Sequence, residues 1–288
     1  MSEHNQAKQE LLGEVVTWDL QQADVTYANV QDALRSAGLN PSAAAELSPR
    51  SAFSRACKDL KKERAIDKLS VDTKGLARFQ FTKKHLRDRQ IEYDFECFVE
   101  LDCDTGAITC ASDSALEKIA QELFATAMQM RNAQDVTRLV QRLFQEHAEL
   151  FPINPRKGVA YFVPERHRDF TAKVDLFLAA CGGCLARFPV PNGTPQGNAS
   201  VKEAVQAGLS SLVNELNATV ADWDDTTRKS TMTKAAEKYQ TIEFKISAYA
   251  EYLGSEQEKL KEKLAEARQE LKRKVLELKP ETDTLAAA

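Results

Sequence analysis

The sequence predicts an α+β protein: two winged-helix-like helix-helix-β-hairpin units with a small antiparallel sheet, followed by a helical, coiled-coil C-terminal region. Three observations predict it. The stretch from Arg55 to Lys84 recurs without a gap as Arg138 to His167, with Arg55/Arg138, Leu60/Leu143, Glu63/Glu146, Ala65/Ala148, Lys74/Lys157, Gly75/Gly158, Ala77/Ala160 and Phe79/Phe162 identical. From Tyr93 to Cys103 an apolar face alternates with one of carboxylates and Phe98, the two-residue period of a half-buried strand. From Arg228 to Leu278 there is no proline, and apolar residues recur at heptad spacing.

Residues 11–18, LLGEVVTW, fit a short helix or a strand equally and belong to an N-terminal arm of residues 1–24. Val30, Ala33, Leu34 and Ala37 mark a helix over 27–37, which Gly38 ends. Ser48-Pro49 is an N-cap followed by proline where no intrahelical N–H is needed, so a second helix starts there and turns Phe53, Ala56, Cys57 and Leu60 inward. A strand, a Gly75 turn and a second strand follow, with Ala77, Phe79 and Phe81 alternating against Arg78, Gln80 and Thr82. The acidic strand then places Tyr93, Phe95, Cys97, Val99, Leu101 and Cys103 on one apolar face, and Asp104-Thr105-Gly106 returns the chain. The first unit is therefore expected over 25–112.

Ser114 and Glu117 form a capping box that opens the next helix. The second unit, expected over 113–190, has a helix over 134–147, a hairpin turning at 155–158, and a helix stopped by Gly182-Gly183. Three prolines and two glycines make FPVPNGTPQGN a loop. Ser200 and Glu203 cap a further helix ending near Trp223. In the helical region, 200–279, Tyr239, Ile242, Ile246, Tyr249 and Leu253 keep heptad spacing, and Leu260, Leu264 and Leu271 resume it after a phase shift at Gly254. These eight residues are the candidates for self-association or for docking on another protein. Gly254 leaves open one long helix or a helical hairpin; the tail from 280 to 288 is expected to be disordered.

Composition narrows the function less than the pattern does. The formal net charge of −4 excludes a wholly basic nucleic-acid coat, so a polyanion contact has to come from a local patch. Between Arg50 and Arg89 thirteen basic residues meet five acidic ones, and this excess nominates Arg50, Arg55, Lys58, Lys61, Lys62, Lys74 and Arg78 as DNA- or RNA-binding residues. The competing reading is self-neutralisation, with Arg78 and Lys84 paired across strands to Glu92, Asp94 or Glu96. The second copy, with more balanced charge, reads as a packing or protein-contact module.

No signal-peptide core precedes the first unit, and the longest uncharged apolar run, Leu176 to Ala186, is too short to cross a bilayer. A cytoplasmic protein with reduced thiols and no membrane partner is expected. Cys181-Gly-Gly-Cys184 has zinc-knuckle spacing, and Cys103 with Cys110 would complete four sulfurs, but their six-residue separation is not that of a knuckle. No metal site or cofactor is assigned. The four histidines are scattered, the carboxylates between 92 and 104 lie in line rather than converging, and phosphate-loop, dinucleotide and nucleophile-elbow motifs are absent. The leading expectation is a non-enzymatic nucleic-acid-binding or adaptor protein. The alternatives are a protein-interaction scaffold without nucleic acid and an enzyme whose site is not recognised.

Overall fold

The computed structural model describes residues 10–20, 24–62, 64–69, 75–87, 90–111, 113–154 and 159–278. In chain order the elements are β1 (Leu11–Asp19), β2 (Val25–Thr26), α1 (Tyr27–Ser36), α2 (Pro49–Asp59), β3 (Arg64–Leu69), β4 (Leu76–Arg87), β5 (Gln90–Asp102), β6 (Ile108–Cys110), α3 (Ser114–Gln129) and β7 (Met130–Arg131). There follow α4 (Ala133–His147), β8 (Phe151–Pro152), β9 (Tyr161–Pro164), α5 (Arg168–Ala180), β10 (Cys184–Pro191), α6 (Pro195–Ala221), α7 (Lys229–Ala248), α8 (Ala250–Leu253) and α9 (Glu256–Leu278). This is a mixed α+β chain with small antiparallel sheets and C-terminal helices. It divides into two compact units, one drawn from residues 20–140 and 176–183, the other from 1–19, 141–175 and 184–288.

In the first unit β3-β4-β5-β6 form an all-antiparallel sheet. Its inner face, with Ala77, Phe79 and Phe81 on β4 and Cys97, Val99 and Leu101 on β5, packs under Phe53 and Cys57 of α2 and Leu116 and Ala120 of α3. Phe53 meets Phe79 edge-on at 4.9 Å, the geometry the ring quadrupole favours. Asp113 accepts from the N–H groups of Ala115 and Leu116 and so caps α3. The expected cap, Ser114, is already the first helical residue, and Glu117 instead accepts from Cys110 N–H. The intermediate helix that a winged-helix outline needs is here a single 3-10 turn, Pro41–Ala43.

The outer face differs from expectation at one place. Phe81 pairs with Cys97, but Thr82 pairs with Phe95, so Glu96 is an extra, bulged residue. Strand alternation reverses there. Tyr93 and Phe95, expected to be inward, stand 57% and 58% exposed beside Phe98 on the outer face.

In the second unit the sheet order is β10-β1-β9-β8, again wholly antiparallel. Residues 11–19, placed by the sequence reading in an N-terminal arm, are instead an interior strand, because Val16 and its neighbours find partners on both sides. The proline-rich segment expected to be a loop is divided: residues 195–198 open α6, and residues 188–191 end β10. β10 is an edge strand, where a proline costs no ladder bond on its open side. Glu14, 7% exposed, is held by two bonds from Arg187, Nε to Oε2 at 2.8 Å and Nη2 to Oε1 at 2.7 Å.

The two repeated segments share a pairing scheme. Lys68 faces Phe79 and Leu69 faces Arg78 in the β3–β4 hairpin; Phe151 faces Phe162 and Pro152 faces Tyr161 in β8–β9, the corresponding positions of the repeat. The sheets also run in the same order from those hairpins, β3-β4-β5-β6 and β8-β9-β1-β10, with the third place in the latter taken by the N-terminal strand. The hairpin turns at 70–74 and 155–158 lie outside the described residues.

The C-terminal helices pack as an up-down-up bundle. Gly254, at φ +55°, supplies the left-handed residue that reverses the chain between α7–α8 and α9. Gln206 on α6 reaches Glu256 at the start of α9, and Lys274 near its end reaches the carbonyls of Ala221 and Trp223, so α6 and α9 run parallel. Helix α6 begins at Pro195, one turn before the expected Ser200 cap. Tyr239, Ile242, Ile246, Tyr249, Leu253, Leu260, Leu264 and Leu271, nominated for self-association, are at most 8% exposed in this chain's own core. The heptad stripes are satisfied within one chain because the turn folds them onto each other. Ile246→Val should therefore cost about 1 kcal/mol in denaturant melts and leave the sedimentation coefficient unchanged; a shift in sedimentation would show that an intermolecular contact had been disturbed. Among the described residues no helix is long and apolar enough to cross a membrane. The tail at 280–288 lies outside the described residues.

Candidate nucleic-acid interface

Helix α2 presents two different faces. Its apolar side is spent on the sheet, while Arg50, Ser51, Ser54, Arg55 and Lys58 line a cleft of about 840 Å³. Lys68 of β3 closes one side. Leu123, Thr126 and Ala127 of α3 form the floor, and Asn132, Gln134 and Arg138 enter from the start of α4. Five cations from three elements thus converge with hydroxyls and amides around them; among the described residues that line the cleft the one carboxylate is Asp24.

The register explains how Lys68 arrives there. It faces Phe79 directly, so it lies on the helix-bearing side of the sheet, and β3 is the edge strand beside α2. Arg50, Lys58, Lys68 and Arg138 are exposed and make no ion pair with a described residue. Arg55 is different. It donates from Nη1 to Asp135 Oδ2 at 2.7 Å and from Nη2 to Oδ1 at 2.5 Å, the bidentate geometry that fixes a guanidinium.

Asp135 also caps α4, since Asn132 N–H donates to it and its own N–H donates to Asn132 Oδ1, both at 3.1 Å. Burial alone would raise the Asp135 carboxyl, but the hydrogen bonds from Arg55 and Asn132 and the nearby charges of Arg55 and Arg131 outweigh it and hold it below the usual value. A depressed folded pKa means the stabilisation is complete above the unfolded value near pH 4 and is lost as pH falls through the lower folded value. Asp135→Asn should cost about 2 kcal/mol at neutral pH and flatten the acid limb of the stability curve below pH 4. An unaltered acid limb in the variant would place the pH dependence elsewhere.

The other nominated residues divide. Lys61 is exposed on the turn after α2 and does not line the cleft, the side chain of Lys62 is not described, and Lys74 lies outside the described residues. Arg78 is on the opposite side of the sheet, bound to Glu100 and stacked over Phe98 at 5.8 Å. Self-neutralisation therefore operates there, though through Glu100 rather than Glu92 or Asp94, and it also takes Arg64, which donates to Glu96. Lys68 and Arg138 were not nominated. The signal for Arg138 was its place opposite Arg55 in the repeat, combined with the Asn132-to-Asp135 cap that fixes where α4 begins.

Two further clefts, of about 680 and 330 Å³, occur in the second unit. The larger carries Glu10, Glu165 and Glu251 against Arg168, and the smaller Glu149, which Lys245 binds at 2.6 Å. Their charge suits a polyanion poorly. Burial pushes the thiols of Cys57 and Cys97 up to about 12 and that of Cys181 to about 11, which leaves them unreactive. Cys110 is buried on β6, Cys103 is half-buried and Cys184 exposed, and all six thiols are free. Among the described residues no group of three or more histidine, cysteine or acidic side chains is arranged to hold a metal ion.

The chain belongs to a family of unknown function, DUF6744, whose pattern spans residues 11–284. No curated protein and no solved structure matches it.

Proposed function

We propose that this is a non-enzymatic nucleic-acid-binding protein that holds the phosphate backbone in the cleft between α2, β3 and the start of α4. The single observation that carries the reading is the convergence of Arg50, Arg55, Lys58, Lys68 and Arg138 on one cleft in a chain whose net charge is −4. Neutralising phosphates releases counterions, and the serine and threonine hydroxyls beside these cations are donors of the kind that fix register on a backbone. Arg55, pinned by Asp135, orients rather than supplies free charge.

The two repeated segments are, in this reading, descendants of one winged-helix-like unit, supported by the eight identities and the common hairpin register. Only the earlier copy kept the cationic helix face, and the later copy lends it Arg138. The C-terminal bundle is the adaptor part, with Phe244, 72% exposed on α7, as its contact for another protein. The protein acts in the cytoplasm.

Fluorescence anisotropy with a labelled oligonucleotide tests the reading. Affinity should fall steeply with salt, and Arg50, Lys58, Lys68 or Arg138 replaced by alanine should each reduce the slope of log K against log salt by about 1, Arg55 less. No binding at low salt would overturn it.

A further inference from the structure

The outer face of β4 and β5 carries a pattern the cleft does not use. Three aromatic rings on β5 each face a polar or cationic residue on β4: Phe98 opposite Gln80, Phe95 opposite Thr82, and Tyr93 opposite Lys84. The rings stand 42%, 58% and 57% exposed, and the first two are 4.9 Å apart. Continuous alternation would have buried Phe95 and Tyr93 with Cys97. The bulge at Glu96 turns them outward, and two bonds from Arg64 to Glu96, at 2.6 and 2.9 Å, hold that bulge in place. Bulges of this kind re-aim side chains next to sites.

We infer that this face is a stacking platform for the unpaired bases of a single-stranded nucleic acid. The inference rests on the nucleic-acid reading above and narrows it to the single-stranded form. Tyr93 and Phe95, two residues apart along the strand, are separated by about 7 Å, a spacing an extended sugar-phosphate chain can match, while Phe95 and Phe98, packed on one another at 4.9 Å, make one continuous ring surface. A base lying on each ring turns its edge toward the residue across the strand, where Gln80 and Thr82 offer hydrogen bonds and Lys84 a charge for the adjoining phosphate.

Two cations border the rings. Lys84 makes no ion pair with a described residue, and Arg78 lies over the Phe98 ring. On the ring face of these two strands Glu100 is engaged by Arg78, and Asp102 accepts from the N–H groups of Asp104 and Thr105; Glu92 and Asp94 alternate with the rings onto the other face, and Glu96 is held by Arg64. Asp67 on β3, beside Gln80, remains as an acceptor for an exocyclic amine. Cleft and platform lie on opposite faces of one sheet, either side of the edge strand β3. A single strand bends round such an edge; a stiff duplex does not.

The test uses the full chain, a labelled oligothymidylate and the same strand in a duplex. Wild type should bind the single strand at least about tenfold more tightly than the duplex, and Tyr93→Ser, Phe95→Ser and Phe98→Ser should each weaken single-strand binding at least about fivefold with duplex binding unchanged. Phe95→Leu, which keeps apolar area without a π-face, should lose as much as Phe95→Ser, whereas Phe95→Trp should bind and be quenched by the strand. Equal binding by Phe95→Leu and wild type, or no preference for the single strand, would overturn the platform while a salt-dependent duplex interaction kept the cleft reading. Ring variants that fail beside an unaffected Arg50→Glu/Lys58→Glu/Arg138→Glu protein would keep the platform and overturn the cleft. Absence of binding to either probe would overturn both.

Discussion

The Arg50→Glu/Lys58→Glu/Arg138→Glu protein should bind oligonucleotide about a hundredfold more weakly than wild type at low salt, with the log K against log salt slope smaller by about 3. All three side chains line the cleft, are exposed, and have no described ion partner. Their reversal removes attraction without breaking an internal pair. Far-ultraviolet circular dichroism and the melting temperature should change little, which separates lost binding from lost fold. Lys61→Glu is the matched control: the same charge change, on an exposed residue outside the cleft, should weaken binding only a few-fold through the long-range field. Equal losses in Lys61→Glu and in the triple variant would mean that net charge, and not the cleft, governs the interaction. Asp135→Asn makes the opposite change, since it unpairs Arg55, and should tighten binding even as it destabilises the protein.

Gly13→Val should be the most destabilising single substitution proposed, at about 4 kcal/mol, lowering the melting temperature by roughly 10 °C. Gly13 sits at φ +155° beside the bulge in β1. A Cβ there would lie 2.2 Å from the carbonyl oxygen of Val163 and 2.9 Å from the Phe162 ring. The carbonyl belongs to the paired strand β9, and Phe162 is wholly buried in the core shared with α6, α7 and α9. Neither can retreat without opening the sheet or the bundle. Gly182→Ala is the comparison: at φ +78° it meets nothing within 4 Å, so it should show only the backbone term, about 1 kcal/mol. A Gly13→Val protein that melts like Gly182→Ala would refute the steric account.

Much of this architecture was legible in the sequence because it rests on short-range physics. Ser48-Pro49 opened α2, the Asp104-Thr105-Gly106 turn joined β5 to β6, and the repeat located both hairpins. What escaped reading was decided at long range. Whether 11–18 was helix or strand depended on β9 and β10, which are distant in the chain, and β10 itself was hidden by prolines that only an edge strand tolerates. The heptads announced helix packing but not the turn at Gly254, a backbone angle invisible in the letters, which lets the stripes pack on one another within the chain. For the candidate site, charge density pointed to α2, whose Arg50, Arg55 and Lys58 line the cleft, but it could not separate Arg78 from Lys68, since only strand register tells which side of the sheet each occupies. The direction of Tyr93 and Phe95 hung on one extra residue, and a period-two reading has no means of seeing a bulge.

The interior position of β1 bears on how the chain acquires its structure as it leaves the ribosome. Val16 pairs with Tyr161 on one flank and Arg187 on the other. β1 must therefore wait for these partners until Tyr161 and Arg187, far along the chain, have been made. Meanwhile residues 20–140 already contain every strand of their own four-stranded sheet. Residues 20–140 can complete that sheet during synthesis, whereas the sheet containing β1 closes only once β9 and β10 have followed.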